Sequence, residues 1–335
     1  MVILPNDFGA INMEEKVGTV EYLRNRDKSP FVRPNFIIAG TIKAATSSVF
    51  GYLSAHPQVL GSSIKETNFF ITEYTGDRQK DLERYSMHFR SPDSATRIIT
   101  EASPGYLTHS KDMAARIRGM LPDVKLLFIL RDPIDRLYSY YNFHMGQLTK
   151  DFDRTISFEE FIERCRLYSS GKQDPAALKM DERHLRALEI GRYSEFLREY
   201  LKLFPREQII VLFYDDIKTD LRGVMKRLCD MLGIVPAFYD GYVFHKVNAT
   251  FTSRMKLLHS LAVAANKSLE KYLRQRPALK HRIVALYKSL NQKREGYLSI
   301  PEATRRALEA YYGRSNKELA ELISGENCPP WVKID

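Results

Sequence analysis

The run VKLLFIL at residues 124–130 constrains the fold more than any other stretch. A short, nearly continuous apolar segment is what a strand buried on both faces requires, as in the centre of a parallel sheet. Three further strands are expected at residues 36–39 (FIIA), 97–100 (RIIT) and 208–213 (QIIVLF). Helical stretches separate them. Val49, Tyr52 and Leu53 give the first an apolar face at helical spacing, and others are expected at residues 77–86, 111–120, 134–144, 193–203 and 216–232. Gly233 closes the last of these. Such alternation, with connections long enough for crossovers, predicts an α/β fold with a mainly parallel central sheet and helices on both faces. Ligands in sheets of this kind bind at the carboxyl ends of the strands. The loops at residues 40–47, 101–106 and 131–139 are therefore expected to converge on one cleft.

The first of these loops, GTIKAATS, leads from a strand into a helix through small residues. Unpaired backbone N–H groups and the positive end of the helix dipole make such a loop a ready anion site. Lys43 adds a full positive charge, and Thr46, Ser47 and Ser48 add hydroxyl donors. A Walker A nucleotide loop would need Gly-Lys-Ser/Thr after a glycine and four residues. Here Lys43 comes three residues after Gly40, and Ala45-Thr46 stands where Gly-Lys would. The loop alone leaves open a phosphate cradle or an ordinary strand-to-helix turn.

Charge points the same way. The 335 residues carry 51 Lys and Arg against 41 Asp and Glu, a surplus of +10 that favours polyanionic partners. No zinc-finger spacing, aromatic RNA-binding signature or basic zipper supports a nucleic-acid partner. Part of the surplus is concentrated at residues 254–294, where lysines and arginines interleave with leucines. That interleaving suits a contact with an anionic membrane or polyanion, or a solvated face over core-packing leucines. Cys165, Cys229 and Cys328 form neither a disulfide framework nor a metal cluster. No apolar run approaches a bilayer span, and the early Asp7, Glu14 and Glu15 do not resemble a leader, so a cytoplasmic protein is expected. Residues 1–33 read as an N-terminal extension. Residues 34–335 read as one domain, with an α/β core at 34–250 and a helical C-terminal part at 251–335. Within it, residues 147–189 read as helical with a flexible centre at Ser169-Ser170-Gly171, and 301–323 as a closing helix.

A second anion grip is suggested by KLLFILRDPIDRLYSYYNFH at residues 125–144. Asp132 is a good N-cap and Pro133 suits the first helical position. Arg131 at the strand's carboxyl end offers a bidentate fork, and Ser139, two turns into the helix, a neutral donor. A helix-capping turn with a solvent-facing arginine is the alternative for this element alone. Taken with the opening loop, the R-D-P-x-x-R-x-x-S element (Arg131, Asp132, Pro133, Arg136, Ser139) resembles that of the sulfotransferases that use 3′-phosphoadenosine 5′-phosphosulfate (PAPS). Residues 191–233, with G-R-Y, F-P-R-E-Q-I-I-V-L-F-Y-D-D-I and L-C-D-M-L-G in the family's order, extend the resemblance, which covers about residues 34–323.

The resemblance implies a P-loop-like PAPS-binding sulfotransferase fold, PAPS as co-substrate with PAP (3′,5′-ADP) as product, and no metal. It implies that Gly40, Thr41, Lys43, Ala44, Ala45, Thr46 and Ser47 bind the 5′-phosphosulfate, and that Arg131 and Ser139 bind the 3′-phosphate. Lys43 is then catalytic, neutralising charge on the leaving phosphate. The string Lys65-Glu66-Thr67-Asn68-Phe69-Phe70 looks like the K-E-x-x-F-F segment of the carbohydrate (heparan-type) branch, whose glutamate is the base, which makes Glu66 the expected general base. The phenol and steroid branch uses a histidine after the second of these strands, and here His109 is the alternative, several residues too late. Two positions depart from the pattern. Glycine usually stands at Ala45, so either this position need not be left-handed or the loop is altered. The carbohydrate branch often has lysine where Ala102 stands, which leaves Lys65 or Lys246 to supply that charge. The segment at residues 245–248 is either a return loop to the nucleotide or an exposed loop. The implied acceptor is a hydroxyl, foremost of a carbohydrate or glycoconjugate. A small-molecule or lipid alcohol or phenol, an ATP- or GTP-dependent phosphotransfer, and a non-catalytic anion-binding module stay open beside it.

Overall fold

In the computed structural model, residues 31–145, 152–153, 155–245, 252–253, 292–293, 299–323 and 328–332 are described. Most of the N-terminal extension, Lys246 and most of the basic segment lie outside them. The chain divides into two compact units, one of residues 1–131, 193–247 and 315–335, the other of residues 132–192 and 248–314.

The elements run β1 (Phe36–Gly40), α1 (Thr46–Ser54), β2 (Val59–Gly61), α2 (Phe69–Thr72), α3 (Arg78–Ser86), β3 (Ile98–Ala102), α4 (Ser110–Met120) and β4 (Lys125–Leu130). They continue with α5 (Pro133–Met145), α6 (Phe158–Ser169), α7 (Glu182–Leu185), α8 (Tyr193–Leu201), β5 (Ile209–Phe213), α9 (Tyr214–Thr219) and α10 (Leu221–Leu232). Last come β6 (Thr252–Ser253), β7 (Gln292–Lys293) and α11 (Glu302–Leu322).

In the first unit β1 to β5 form a five-stranded sheet in the order β2-β3-β1-β4-β5, parallel throughout. Alternate residues of β1 explain its fully apolar sequence. Phe36 and Ile38 point into a core shared with Val49 and Leu53 of α1 and Val224, Met225 and Leu228 of α10. Ile37 and Ala39 point into the opposite core, with Tyr85 of α3, Ile117 of α4 and Leu197 and Tyr200 of α8. Helices thus cover both faces, as the strand composition requires. The chain winds one way from β1 to β3 and the other way to β4, which puts the loop after β1 at the reversal of strand order.

Four strands were legible from their apolar runs, and β2 was not. Its three residues sit just after Pro57 and are too few for a periodic signal. The second expected strand also runs further than its apolar letters suggest: β3 includes Glu101 and Ala102, so Glu101 is a buried strand residue and not part of a turn. The helix expected at residues 216–232 is two helices broken at Asp220, whose carboxylate caps α10 by accepting the Gly223 N–H at 2.8 Å. Gly233 closes α10 in the left-handed conformation.

In the second unit α5 opens as expected, with Asp132 Oδ1 accepting the N–H groups of Ile134 and Asp135 at 2.8 and 3.2 Å. Its aromatic face packs Tyr141 against Phe158 and Phe161 of α6. The charged stretch 147–189 is helical where described over α6 and the one-turn α7, with a left-handed Gly171 after α6. The short strands β6 and β7 pair antiparallel. Among the described residues no helix is long and apolar enough to cross a membrane.

Gly40 ends β1 against tightly packed neighbours: a Cβ there would meet Leu107 Cβ at 2.7 Å and Phe128 Cδ1 at 3.1 Å. Gly40→Ala is expected to lower the urea midpoint by the equivalent of about 1–3 kcal/mol, the usual cost of overpacking.

Candidate active site

The loop after β1 is built to leave backbone donors open. Thr41 N–H reaches the Ile129 carbonyl of β4 at 2.9 Å, which fixes the start of the loop to the neighbouring strand. Lys43 (φ 65°) and Ala45 (φ 64°) both adopt left-handed backbone. The expectation that Ala45 need not be left-handed is therefore corrected: the position keeps the conformation that glycine takes most easily, at a cost of roughly 1–2 kcal/mol for an L-residue. The Ala45 carbonyl accepts the N–H groups of Ser48 and Val49 at 2.9 and 3.1 Å, starting α1. No side chain caps this helix. Its first N–H groups and dipole thus face the loop without an internal acceptor, as an anion site requires. Thr41, Ala44 and Thr46 are buried, whereas Lys43 and Ser47 are half-buried. Thr41 Oγ1 is buried with no hydrogen-bond partner among the described residues.

Arg131 follows β4 and meets this loop directly. Its Nη1 donates to the Lys43 carbonyl at 3.0 Å, and its guanidinium lies 4.6 Å from the centre of the Tyr214 ring. Tyr193 Oη donates to the Arg131 carbonyl at 2.7 Å, holding the backbone from the other side. Burial, and secondarily the Arg131 charge, pushes the Lys43 ammonium down to about 8. Burial and the Arg131 charge both disfavour the charged form of Lys43, and a bound anion offsets both. Ser139 lies buried on α5, in the second unit. The other arginine of the element, Arg136, is fully buried there and donates to the Ala187 carbonyl.

Glu66 stands beside the end of β3, its N–H donating to the Ala102 carbonyl at 3.0 Å. Its side chain is 48% exposed and pairs with Lys65. Its backbone is left-handed (φ 61°), as is that of Asn68 (φ 51°). An exposed carboxylate on a constrained turn can accept a proton from an incoming group. Beneath it lies the wholly buried Glu101, held by hydroxyls of Tyr85, Thr67 and Ser103. His109, the alternative base, is exposed, with Nδ1 3.1 Å from the Gly105 carbonyl. His245 is exposed too, and its carbonyl accepts from Tyr52 Oη of α1 at 2.8 Å; the rest of the 245–248 segment lies outside the described residues.

Tyr193, Tyr214 and Glu101 carry parts of this arrangement and were not singled out from sequence. Tyr193 and Tyr214 lie in strings that follow the family's order, which was the available signal. Among the described residues no group of three or more His, Cys, Asp or Glu could hold a metal ion.

The family profile described as "Sulfotransferase domain" matches residues 33–269. Human bifunctional heparan sulfate N-deacetylase/N-sulfotransferase 3 is 25% identical over 305 residues, covering 90% of this chain and 31% of that protein. Mouse heparan sulfate glucosamine 3-O-sulfotransferase 3A1 is 28% identical over 237 residues, covering 70% of this chain and 54% of that protein. The chain thus spans about a third to a half of the length of these relatives. A sulfotransferase crystal structure from Alicyclobacillus acidocaldarius superposes with a TM-score of 0.59 at 24% identity, covering 90% of this chain and all of that one.

Ala45→Gly removes a side chain from left-handed backbone and is expected to raise the free energy of unfolding by about 1 kcal/mol. Chemical denaturation of the two proteins side by side measures this, and a lower midpoint for Ala45→Gly contradicts it.

Proposed function

The chain belongs to the sulfotransferase family, and from that premise we propose that it transfers the sulfuryl group of PAPS to a hydroxyl of a carbohydrate or glycoconjugate, with Glu66 as general base. The observation that carries this reading is the convergence of Lys43 and Arg131 on an uncapped helix N-terminus. A donor with phosphates at both ends of its ribose asks for two such anchors. The heparan sulfate relatives support the carbohydrate acceptor by their names, and the surplus of positive charge suits a polyanionic glycan. Residues 254–294 are the stretch where that charge is densest, and we assign them to contact with such an acceptor.

The loop from Gly40 to Ser47 holds the 5′-phosphosulfate through its N–H groups and the hydroxyls of Thr46 and Ser47. Arg131 and Ser139 hold the 3′-phosphate. PAPS supplies the sulfuryl group, whose bond to the 5′-phosphate oxygen breaks as the acceptor oxygen attacks in line. Glu66 takes the proton of the attacking hydroxyl, and Lys43 neutralises the charge gathering on the departing oxygen. Lys65, paired with Glu66, supplies the cation that Ala102 cannot. The group transferred is compact and highly charged, so positioning and charge stabilisation carry most of the catalysis, much as in phosphoryl transfer.

Labelled PAPS, offered with desulfated heparan-type glycans, simple sugars and phenols, tests the reading. Label should pass to a glycan, and PAP should be released only with an acceptor present. Lys43→Ala is expected to lower kcat by about 10²- to 10³-fold, as loss of a charge-stabilising donor does. Glu66→Gln should lower kcat by about 10²-fold or more with PAP affinity nearly unchanged. A wild-type rate in either protein removes that residue from the mechanism.

The pH dependence follows from the depressed lysine. Lys43 is charged below about 8 and loses its proton as pH rises through that value. PAP binding should therefore weaken above pH about 8. Calorimetric titration across pH checks this, and the bend should vanish in Lys43→Ala.

A further inference from the structure

Glu101 is a buried ionisable group that the reaction leaves unused. Glu101 is wholly buried in β3, and among the described residues no cation pairs with it. Neutral hydroxyls serve it instead: Tyr85 Oη donates to Oε1 at 3.0 Å, Thr67 Oγ1 and Ser103 Oγ donate to Oε2 at 3.0 and 2.6 Å, and the Tyr106 hydroxyl also favours the carboxylate. Burial raises its pKa, against the pull of those hydrogen bonds.

These hydroxyls do a second job. A hydroxyl that donates its one proton to Glu101 turns its lone pairs elsewhere. Ser103 Oγ accepts the Asn68 N–H at 3.0 Å, and Thr67 Oγ1 lies 3.4 Å from the Phe69 N–H that donates to it. The Glu66 N–H is held at the same time by the Ala102 carbonyl. The turn so held contains left-handed backbone at Glu66 and Asn68, which a glutamate in particular does not adopt unaided. Thr67 is drawn inward to Glu101, while its neighbour Glu66 is left facing outward beside Lys65.

We propose that Glu101 is the positioning residue for the Glu66 base: its carboxylate orients the Thr67 and Ser103 hydroxyls, and these lock the turn that aims Glu66 outward. The proposal rests on Glu66 being the base. Glu101 is too deeply buried to reach an acceptor, so it acts only through the turn.

The test uses the full chain with Glu101→Ala, Glu101→Gln and Ser103→Ala. Amide hydrogen exchange reads the turn without any acceptor. Exchange at Glu66 and Asn68 should quicken about tenfold or more in Glu101→Ala and in Ser103→Ala, while the β1 amides stay unchanged. Glu101→Met, which fills the space without an acceptor, decides the matter if Glu101→Ala does not fold. With labelled PAPS and desulfated heparin, Glu101→Ala should lower kcat about tenfold or more while KM for PAPS and PAP affinity hold. Glu101→Gln, which keeps the shape and can turn its one acceptor oxygen to the Thr67 and Ser103 hydroxyls with its amide N–H toward Tyr85 Oη, should recover most of that loss. Adding Glu101→Ala to Glu66→Gln should cost nothing further, because a positioning residue has nothing left to position. Unchanged exchange at Glu66 and Asn68, or kcat losses that multiply in the double variant, overturns the proposal. Full activity in Glu66→Gln alone refutes the base assignment instead, and the exchange result still decides whether Glu101 holds the turn.

Discussion

The carboxyl end of this sheet depends on keeping Lys43, a cation depressed by burial and by the Arg131 charge, beside that arginine. The two cations are brought together by strand pairing. β1 and β4 are neighbours, so the loop that leaves one and the arginine that follows the other arrive side by side. Backbone hydrogen bonding then fixes the arrangement: Thr41 N–H to Ile129, and the Arg131 guanidinium to the Lys43 carbonyl. The field of an uncapped helix adds to both charges. The lysine is depressed by burial first and by the Arg131 charge second, and a bound anion offsets both.

The proposed base is held by the next strand across. β3 lies on the other side of β1, and the carbonyl of its last residue, Ala102, holds Glu66. Three adjacent strands, β3-β1-β4, thus present a carboxylate, an anion loop and an arginine at one edge. The layout separates the jobs. Cations that would hold the donor's two phosphates follow β1 and β4, while the carboxylate that would take a proton stands in the turn held by β3. Beneath the turn, the buried Glu101 accepts from the Ser103 hydroxyl, which in turn accepts the Asn68 N–H.

Much of this was legible in the sequence, for physical reasons. Strands buried on both faces advertise themselves as apolar runs, and β1, β4 and β5 could be read to within a residue or two. Asp132 and Pro133 marked the start of α5 because caps are local chemistry. Arg131 and Lys43 could be singled out from their place at strand ends. Less legible were features set by tertiary packing. Ala45 is a poor residue for left-handed backbone, so composition argued against the conformation that the surrounding loop imposes. Glu101 looked like the first residue of a turn because a buried glutamate is rare, and only the hydroxyls gathered from residues 67, 85 and 103 make it tolerable there. The cation–π contact of Tyr214 with Arg131 joins residues far apart in the chain and leaves no local pattern.

The central claim is that the two cations were arranged for a nucleotide bearing a 3′-phosphate. Competitive calorimetric titration of PAP against ATP tests it most directly, since it needs no acceptor. PAP should bind about tenfold or more tightly than ATP, the margin of one well-placed phosphate contact. Tighter binding of ATP would contradict it.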